Sequence, residues 1–567
     1  MKKVLGPSAL TLLCLGHIVG SGIFVLTGVA ARTLAGPAVV ISYAVGAVVA
    51  GLAALAYAEL GTEFPLAGAS FNYVLATFGE FPAWLTVMTM AADSILGGGA
   101  MARSWSSYLA VMFRQRSDFF QIPAGPFHLD FVAAGATIVI TIILVSGTFN
   151  TAAVNAVGKA ALLTMIGIVL TLSFQHADAR NWEDFFPFGV RGVFNGASVI
   201  YFSYGGYNAC CSFAEEAKNP ARDLPIALFT SLGFSTVLYI LMTCAITLMV
   251  PWQLIDLAAP FSEAFITLGL RWAAELVSVG AVIAIGSVLM VSMMATTREF
   301  LVMARHNLIP GWLAEVHPTL GTPYRVTIAY GCIKATMALL TDFETLAKMT
   351  SVGTMFVTGM VASCLLWRRY YAANSDQPVV PPLWRFASVI ASAFGFAASF
   401  SFGLPVWAWA AALGCWAAAA LSFYTLPQVN KPKVGFEVPL VPVLMSISIL
   451  GSSVLMMSLG RLALLRFAVV FGLVLVLYFV YGVHSAARHA AEVSEVVASR
   501  LSEEGSHLKR NSKGEVIVIE STVEAGPSGI VAVRAGATED SVHSTDSGES
   551  AIRPQTSLET ESLLPHA

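Results

Sequence analysis

The chain has 567 residues, 56% of them hydrophobic and 11% charged, with a mean hydropathy of +0.74 and a formal net charge of −3. A composition this apolar places it outside soluble domains and makes a bilayer its solvent. The absence of long basic runs sets nucleic-acid binding aside, because neutralising several phosphates takes clustered Lys and Arg.

A membrane-crossing helix needs about 20 apolar residues. On that rule, spans fall near 9–31, 37–59, 80–112, 130–147, 154–174, 192–214, 226–250, 272–304, 325–341, 347–367, 385–403, 406–426, 437–459 and 462–484, fourteen in all. The first begins almost at Met1, but many similar runs follow and no small-residue cleavage site appears, so it reads as a spanning helix rather than a removable signal. Asp342, Glu344 and Lys348 crowd the link between the ninth and tenth. Lys2, Lys3, Lys218, Arg222, Arg305, Arg325, Arg368, Arg369, Lys431 and Lys433 share one side if the N-terminus is cytoplasmic, a modest excess over the opposing arginines. The chain then divides into a ten-helix core at 1–367, four further helices at 368–484, and residues 485–567, whose Ser, Glu, Thr and Gly predict a disordered cytosolic tail. Within the tail, Glu559, Leu563 and Leu564 fit an acidic dileucine signal for a sorting adaptor, or simply an ordinary tail end.

Seven cysteines, scattered and without CxxC pairing, predict packing residues rather than a disulfide framework or a zinc site. The adjacent Cys210 and Cys211 read as small apolar filler.

Two spans are weakened at their centres. GHIVGSGIFVLTG crowds Gly16, Gly20, Ser21 and Gly22 into the first, and the sixth carries Gly205 and Gly206 beside Ser203 and Asn208. An interior glycine costs a helix about 1 kcal/mol relative to alanine, and no water is present to rescue loosened backbone groups. Interruptions in the first and sixth helices point to two inverted five-helix repeats with a binding site between them. A break bares N–H groups on one half-helix and carbonyls on the other, which together suit an α-carboxylate and an α-ammonium. Ser21, Gly22 and Ile23 are the expected carboxylate donors, and carbonyls near Ile18, Phe202 and Ser203 the expected ammonium acceptors.

GHIVGSGIFVLTG, GPAVVISY, YAEL, FPLAGASFNYV, AEEAKNPARDLPIA, VPWQLIDLAAPFSEAF, MARHNLIPGWLAEVHP and FEVPLVPVLMSISIL with FVYG closely resemble the amino acid–polyamine–organocation superfamily, in particular its cationic amino acid transporter family. The resemblance covers roughly residues 1–484. It implies an all-α polytopic membrane protein with about 14 transmembrane helices, a leucine-transporter-type 5+5 inverted-repeat core in helices 1–10, and four more helices. It also implies alternating access, no catalysis and no cofactor or metal. Position by position, Ile18, Gly20, Ser21, Gly22 and Ile23 match the family's carboxylate and amine site on helix 1, and Phe202, Ser203, Gly205 and Gly206 its helix 6 partner. Met290 is the candidate pocket floor; the alternative is simple packing.

Departures from the family bear on coupling. Asn208 stands where helix 6 usually has an aspartate, and Leu162 stands where many bacterial members carry a lysine. Lys159, three residues earlier, either points toward the same cavity or snorkels to the interface. Intramembrane ionisable residues are functional by default. His17 precedes the first break and is either proton-responsive or a structural histidine. Asp93 replaces a family glutamate and either attracts a basic side chain or is structural; Arg103, ten residues away, is too distant along a helix to pair with it. Glu59 and Glu216, with Lys218 and Arg222 close by, read as gate or loop anchors, or as a solvated cluster.

The expected function is secondary transport of L-amino acids, with arginine, lysine and ornithine among the substrates and protons as a candidate coupling ion. Neutral amino acid transport and an amino-acid-sensing receptor on the same scaffold are the alternatives. No HExxH, GxSxG or P-loop pattern supports an enzyme. The expected membrane is the plasma membrane or a vacuolar or lysosomal one.

Overall fold

The computed structural model describes residues 5–482 except 21, 66–67, 126, 148–150, 208, 306–307, 319, 321, 372–379 and 430–434, and separately 521–525 and 531–535. The chain divides into two units, 1–501 and 502–567.

In the first unit, α1 (Pro7–Ile18) starts on a proline, whose missing N–H costs nothing in a first turn, and stops where Val19 turns extended at ψ 101°. Helix resumes as a wide π turn at Gly22–Leu26, then α2 (Thr27–Ala30), then a second π turn at Ala31–Ala35. Next come α3 (Val39–Glu63), α4 (Ser70–Phe78) and the 33-residue α5 (Glu80–Met112). A hairpin of β1 (Gln121–Ala124) and β2 (Phe127–Asp130), with Gln121 opposite Asp130, leads into α6 (Phe131–Ser146). Asp130 caps α6 by accepting the Ala133 N–H at 2.8 Å, and Gly147 ends it in a left-handed turn.

α7 (Thr151–Gln175) precedes α8 (Gly189–Ile200), a 3-10 turn at Tyr201–Tyr204, and α9 (Ala209–Ser212). Then follow α10 (Pro220–Met249), α11 (Pro260–Thr267), α12 (Arg271–Arg305) and α13 (Tyr324–Leu340). Asp342 separates α13 from α14 (Phe343–Tyr370) by accepting the Thr345 N–H. The unit ends with α15 (Val380–Ser401), α16 (Val406–Ser422), α17 (Val441–Ser458) and α18 (Arg461–Leu477).

Among the described residues, nine helical stretches are long and apolar enough to cross a bilayer, counting the run Pro7–Glu63 as one; Phe131–Ser146 and Ala160–Gln175 are shorter apolar helices. The protein is thus an all-helical polytopic membrane protein with a minor hairpin. α4, α11 and that hairpin are not among the predicted spans, because nine- and eight-residue helices are too short to appear in a search for 20-residue apolar runs.

α5 lies at the centre, packed against α4, α12, α13 and α14, while α3 and α1 both pack on α10. Gly97, Gly98 and Gly99 let α5 approach its neighbours closely, meeting Phe202, Lys334 and Leu346 in turn. Trp384, Trp407, Leu465 and Leu473 on the outer helices α15, α16 and α18 are exposed, as lipid-facing side chains would be.

Cys14 on α1 and Cys210 on α9 form a disulfide with Cα atoms 5.6 Å apart, which corrects the expectation of Cys210 as filler. Their separation of 196 residues offers no sequence cue; only the fold brings the two residues together. Cys211 is buried and free, its thiol donating to the Tyr57 carbonyl.

In the second unit, β3 (Ser521–Ala525) pairs antiparallel with β4 (Val531–Ala535), a departure from a wholly irregular tail. Such a two-stranded hairpin is marginal by itself in water. Glu559, Leu563 and Leu564 lie outside the described residues.

Candidate functional site: two broken helices and a cavity

Both weakened spans are interrupted. The first loses helical form between Ile18 and Gly22. The other tightens at Tyr201–Tyr204, turns through Gly205 and Gly206, and resumes at Ala209.

The interruptions touch. A Cβ at Gly22 would sit 2.5 Å from Ser203 Oγ and 2.7 Å from Ser203 Cα, so only glycine allows the approach. At Gly206 a Cβ would lie 2.9 Å from the His17 carbonyl oxygen, and φ of +104° is itself unfavourable for other residues.

A tyrosine from α10 ties the two together. Tyr239 Oη lies 2.8 Å from the Ile18 carbonyl and 2.9 Å from the Ser203 carbonyl, and its side chain is fully buried. One hydroxyl proton cannot serve both oxygens, so acceptor capacity remains there for a further donor such as an ammonium. The rings of Tyr43 and Tyr204 lie 5.5 and 5.3 Å from that of Tyr239 and hold it in place. The Phe202 carbonyl, by contrast, is used within its own turn by the Gly205 N–H.

A cavity of about 180 Å³ opens from the breaks. Its walls are His17, Ile18, Gly20 and Gly22 from the first break, and Phe202, Ser203, Gly205 and Gly206 from the second. α5 adds Asp93, Ser94, Gly97 and Gly98; α12 adds Val288, Thr296 and Glu299; α13 adds Tyr330; and α14 adds Thr350 and Thr354. Beyond the first break, Phe24 packs edge-on against Tyr108 and Phe261, and the Tyr108 hydroxyl donates to the Phe24 carbonyl at 2.8 Å. All three rings are fully buried.

The fold therefore brings together Ile18, Gly20, Gly22, Phe202, Ser203, Gly205, Gly206, His17 and Asp93. Ser21 and Asn208 lie outside the described residues, and Lys159 sits on α7 with its side chain outside them. Ile23 is buried but off the cavity wall. Met290 is corrected: it is buried and off the wall, because it lies about 200° around α12 from Val288. Val288 is the residue against Gly20, a methyl 3.2 Å from where a Cβ would be.

The Asp93 carboxylate accepts from Thr354 Oγ1 at 3.1 Å and rests in space that any side chain at Gly353 would fill. Arg103 is engaged elsewhere, donating to the carbonyls of Ala338, Leu339 and His128. The His17 ring faces that of Phe213 at 6.5 Å.

Glu59 sits in a buried ion pair rather than a solvated cluster. Its partner is neither Lys218 nor Arg222 but Arg369 on α14, with contacts of 2.8 and 2.9 Å, both side chains 2% exposed. The Val438 N–H donates to the same carboxylate at 2.7 Å, so α3, α14 and the segment before α17 meet in one buried ion pair. Glu216 acts through its backbone: its carbonyl accepts the Leu5 N–H, and the Lys218 N–H donates to the Leu5 carbonyl, tying the start of α1 to the stretch after α9.

Tyr239, Glu299 and Lys334 escaped the sequence-based reading, and Arg369 entered it only as a loop charge. Glu299 and Lys334 carried the signal that singled out Asp93, an ionisable group within an apolar run. Nothing in the sequence distinguishes Tyr239 from other buried tyrosines.

Two interrupted helices that meet at their breaks, walling a buried cavity inside a polytopic bundle, define a membrane permease. The family profile described as amino acid permease matches residues 5–448, and that described as the C-terminus of AA_permease matches residues 436–486. Cationic amino acid transporter 1 of Arabidopsis thaliana is 36% identical over 522 residues, covering 90% of this chain and 88% of that protein. Cationic amino acid transporter 8, vacuolar, of the same plant is 37% identical over 493 residues, covering 86% and 83%. Cationic amino acid transporter 4 of Mus musculus is 30% identical over 571 residues, covering 88% and 90%. The chain belongs to the amino acid permease family and, within it, to the cationic amino acid transporters; it is a multi-pass membrane protein of a transporter family, not an enzyme.

Proposed function

We propose that the protein carries L-amino acids across a membrane by alternating access, with arginine, lysine and ornithine among its substrates. The observation that supports this most is the contact of the two breaks, Gly22 on Ser203 and Gly206 on His17, at the head of a buried cavity. The first N–H groups of a resumed helix lack intrahelical partners and sit at its positive end, so that of Gly22, on the cavity wall, receives the substrate carboxylate, with Ser21 and Ile23 as the flanking donors expected from the sequence. The Ile18 and Ser203 carbonyls, shared with Tyr239, receive the ammonium.

The fold behind this function has fourteen crossings, the first ten forming two inverted five-helix repeats led by the two broken helices. Matching interruptions in α1–α2 and α8–α9 favour that arrangement. The buried Glu59–Arg369 pair anchors the cytosolic ends of α3 and α14 while the broken helices rock against them. A vacuolar membrane is favoured, by the name of one relative and by the acidic dileucine pattern of the tail.

The test is counterflow of radiolabelled arginine into proteoliposomes preloaded with arginine, competed by a panel of amino acids at two external pH values. Lysine and ornithine should compete. Binding without counterflow would instead mark a receptor, and competition by neutral amino acids alone would refute the cationic assignment.

A further inference from the structure

Lys334 sits in the middle of α13 with no solvent exposure, and its ammonium nitrogen has no hydrogen-bond partner among the described residues. Room for it comes from α5: a side chain at Gly98 would occupy the space of Lys334 Cε and Nζ. Gly98 also lines the cavity, as do Ser94 and Tyr330. Lys334 Nζ lies 5.3 Å from the Tyr330 ring centroid, and the Tyr330 hydroxyl donates to the Ser94 carbonyl at 3.0 Å. One glycine thus separates a buried amine from the space where the substrate is proposed to sit. An ammonium has three protons to donate and no acceptor of its own, so burying it unpartnered is strongly unfavourable.

The charged and titratable groups around it are few. α5 presents Asp93, five residues or about 7.5 Å along the helix from Gly98, and Arg103, which is bonded to carbonyls at the far end of α13. α12 presents Glu299, which lines the same cavity as Tyr330. The hairpin and the cap of α6 present His128 and Asp130, near Arg103. α6 itself carries no titratable side chain, and neither does the short 3-10 turn Gly311–Ala314. On α13 the neighbours are Tyr330 and Arg325, the latter paired with Glu315.

We infer that Lys334 is the proton site of the transport cycle, and that its proton and the basic side chain of the substrate exclude each other. A cation held at Asp93 shares the cavity that Gly98 lines, and Lys334 lies behind that glycine in low-dielectric protein, so like-charge repulsion expels the proton from Nζ to water in the cavity. When the substrate leaves, the amine takes up a proton from water. Net movement of a basic amino acid one way is then linked to a proton moving the other way. This linkage rests on the transport function proposed above and adds its coupling.

The experiment uses proteoliposomes of the full chain from one reconstitution, one portion loaded with a pH-sensitive dye and no arginine, the other preloaded with arginine for labelled arginine counterflow. External arginine should raise the lumenal pH in the wild type. In Lys334→Met the pH response should fall at least tenfold, while counterflow stays within about threefold of wild type. Wild-type counterflow with no pH change, or with acidification, would overturn the inference. So would a Lys334→Met variant that keeps its pH response, or one that loses counterflow as well, since Lys334 would then serve transport itself rather than coupling. No counterflow in the wild type would count against the transport function, a distinct failure.

Discussion

Gly22→Ala tests the meeting of the two breaks most directly. The new Cβ would fall 2.5 Å from Ser203 Oγ and 2.7 Å from Ser203 Cα, whereas ordinary contact begins at 3.4 Å. The hydroxyl can swing aside, but the Cα cannot move without its backbone. The breaks must therefore part by about 0.7 Å, the difference between 3.4 and 2.7 Å. A hydrogen bond of about 2.9 Å stretched by that amount passes 3.5 Å and is effectively lost. Hydrogen bonds to charged groups are worth about 1.5–3 kcal/mol, so losing one weakens substrate binding roughly 10- to 150-fold. Overpacking itself costs only about 1–3 kcal/mol, which a folded bundle tolerates. The assay is the arginine concentration giving half-maximal counterflow in proteoliposomes, with Gly51→Ala as control, because a Cβ at Gly51 on α3 meets nothing within 4 Å. A Gly22→Ala protein whose half-saturating concentration stays within twofold of wild type would refute the clasp.

Three further outcomes follow from the site and its anchors. Tyr239→Phe removes the hydroxyl between the Ile18 and Ser203 carbonyls, so the melting temperature in detergent should drop by the equivalent of about 1–3 kcal/mol. Arginine should raise it more than in wild type, and an unchanged melting temperature would count against the bridge. Arg369→Met leaves Glu59 buried without its cation, at a cost of about 3–5 kcal/mol, whereas adding Glu59→Gln should recover much of the loss. Size-exclusion profiles and melting curves of the single and double variants decide this. Asp93 lies one turn, about 6 Å, from Gly97 against the Phe202 ring, but Glu299 is eleven residues, about 16 Å, along α12 from Val288 against Gly20. An arginine side chain reaches roughly 7 Å. Asp93→Asn should therefore raise half-saturation for arginine about tenfold and leave neutral amino acids unaffected, while Glu299→Gln should change neither by more than about twofold; the reverse pattern would reassign the contact.

Much of this protein was legible as a linear pattern. A helix over 80–112 follows from a long apolar run whose proline, Pro82, falls in the first turn, and α5 has those bounds despite Gly97, Gly98 and Gly99 inside it. The link between 325–341 and 347–367 was the least clearly marked in the sequence, because Asp342, Glu344 and Lys348 crowd it, and the structure ends α13 at Leu340 and caps α14 with Asp342. The two weakened spans were visible as glycines where a helix can least tolerate them, since backbone conformation is a local property. Short connectors such as α4 and α11 were missed because they lack a membrane-length signature.

The site divides along the same line. From the residues alone came the bilayer, the breaks and the glycines that make them, because burial in lipid and backbone freedom depend on each residue and its immediate neighbours. Pairings between distant positions were beyond it: Glu59 with Arg369, Cys14 with Cys210, Tyr239 across both breaks, Lys334 in the notch at Gly98. Met290 went astray for a related reason, since helical phase relative to a cavity is set by how neighbouring helices pack. Contacts of a few ångströms between residues hundreds of positions apart exist only once helices have docked, and docking is settled by the summed fit of many side chains.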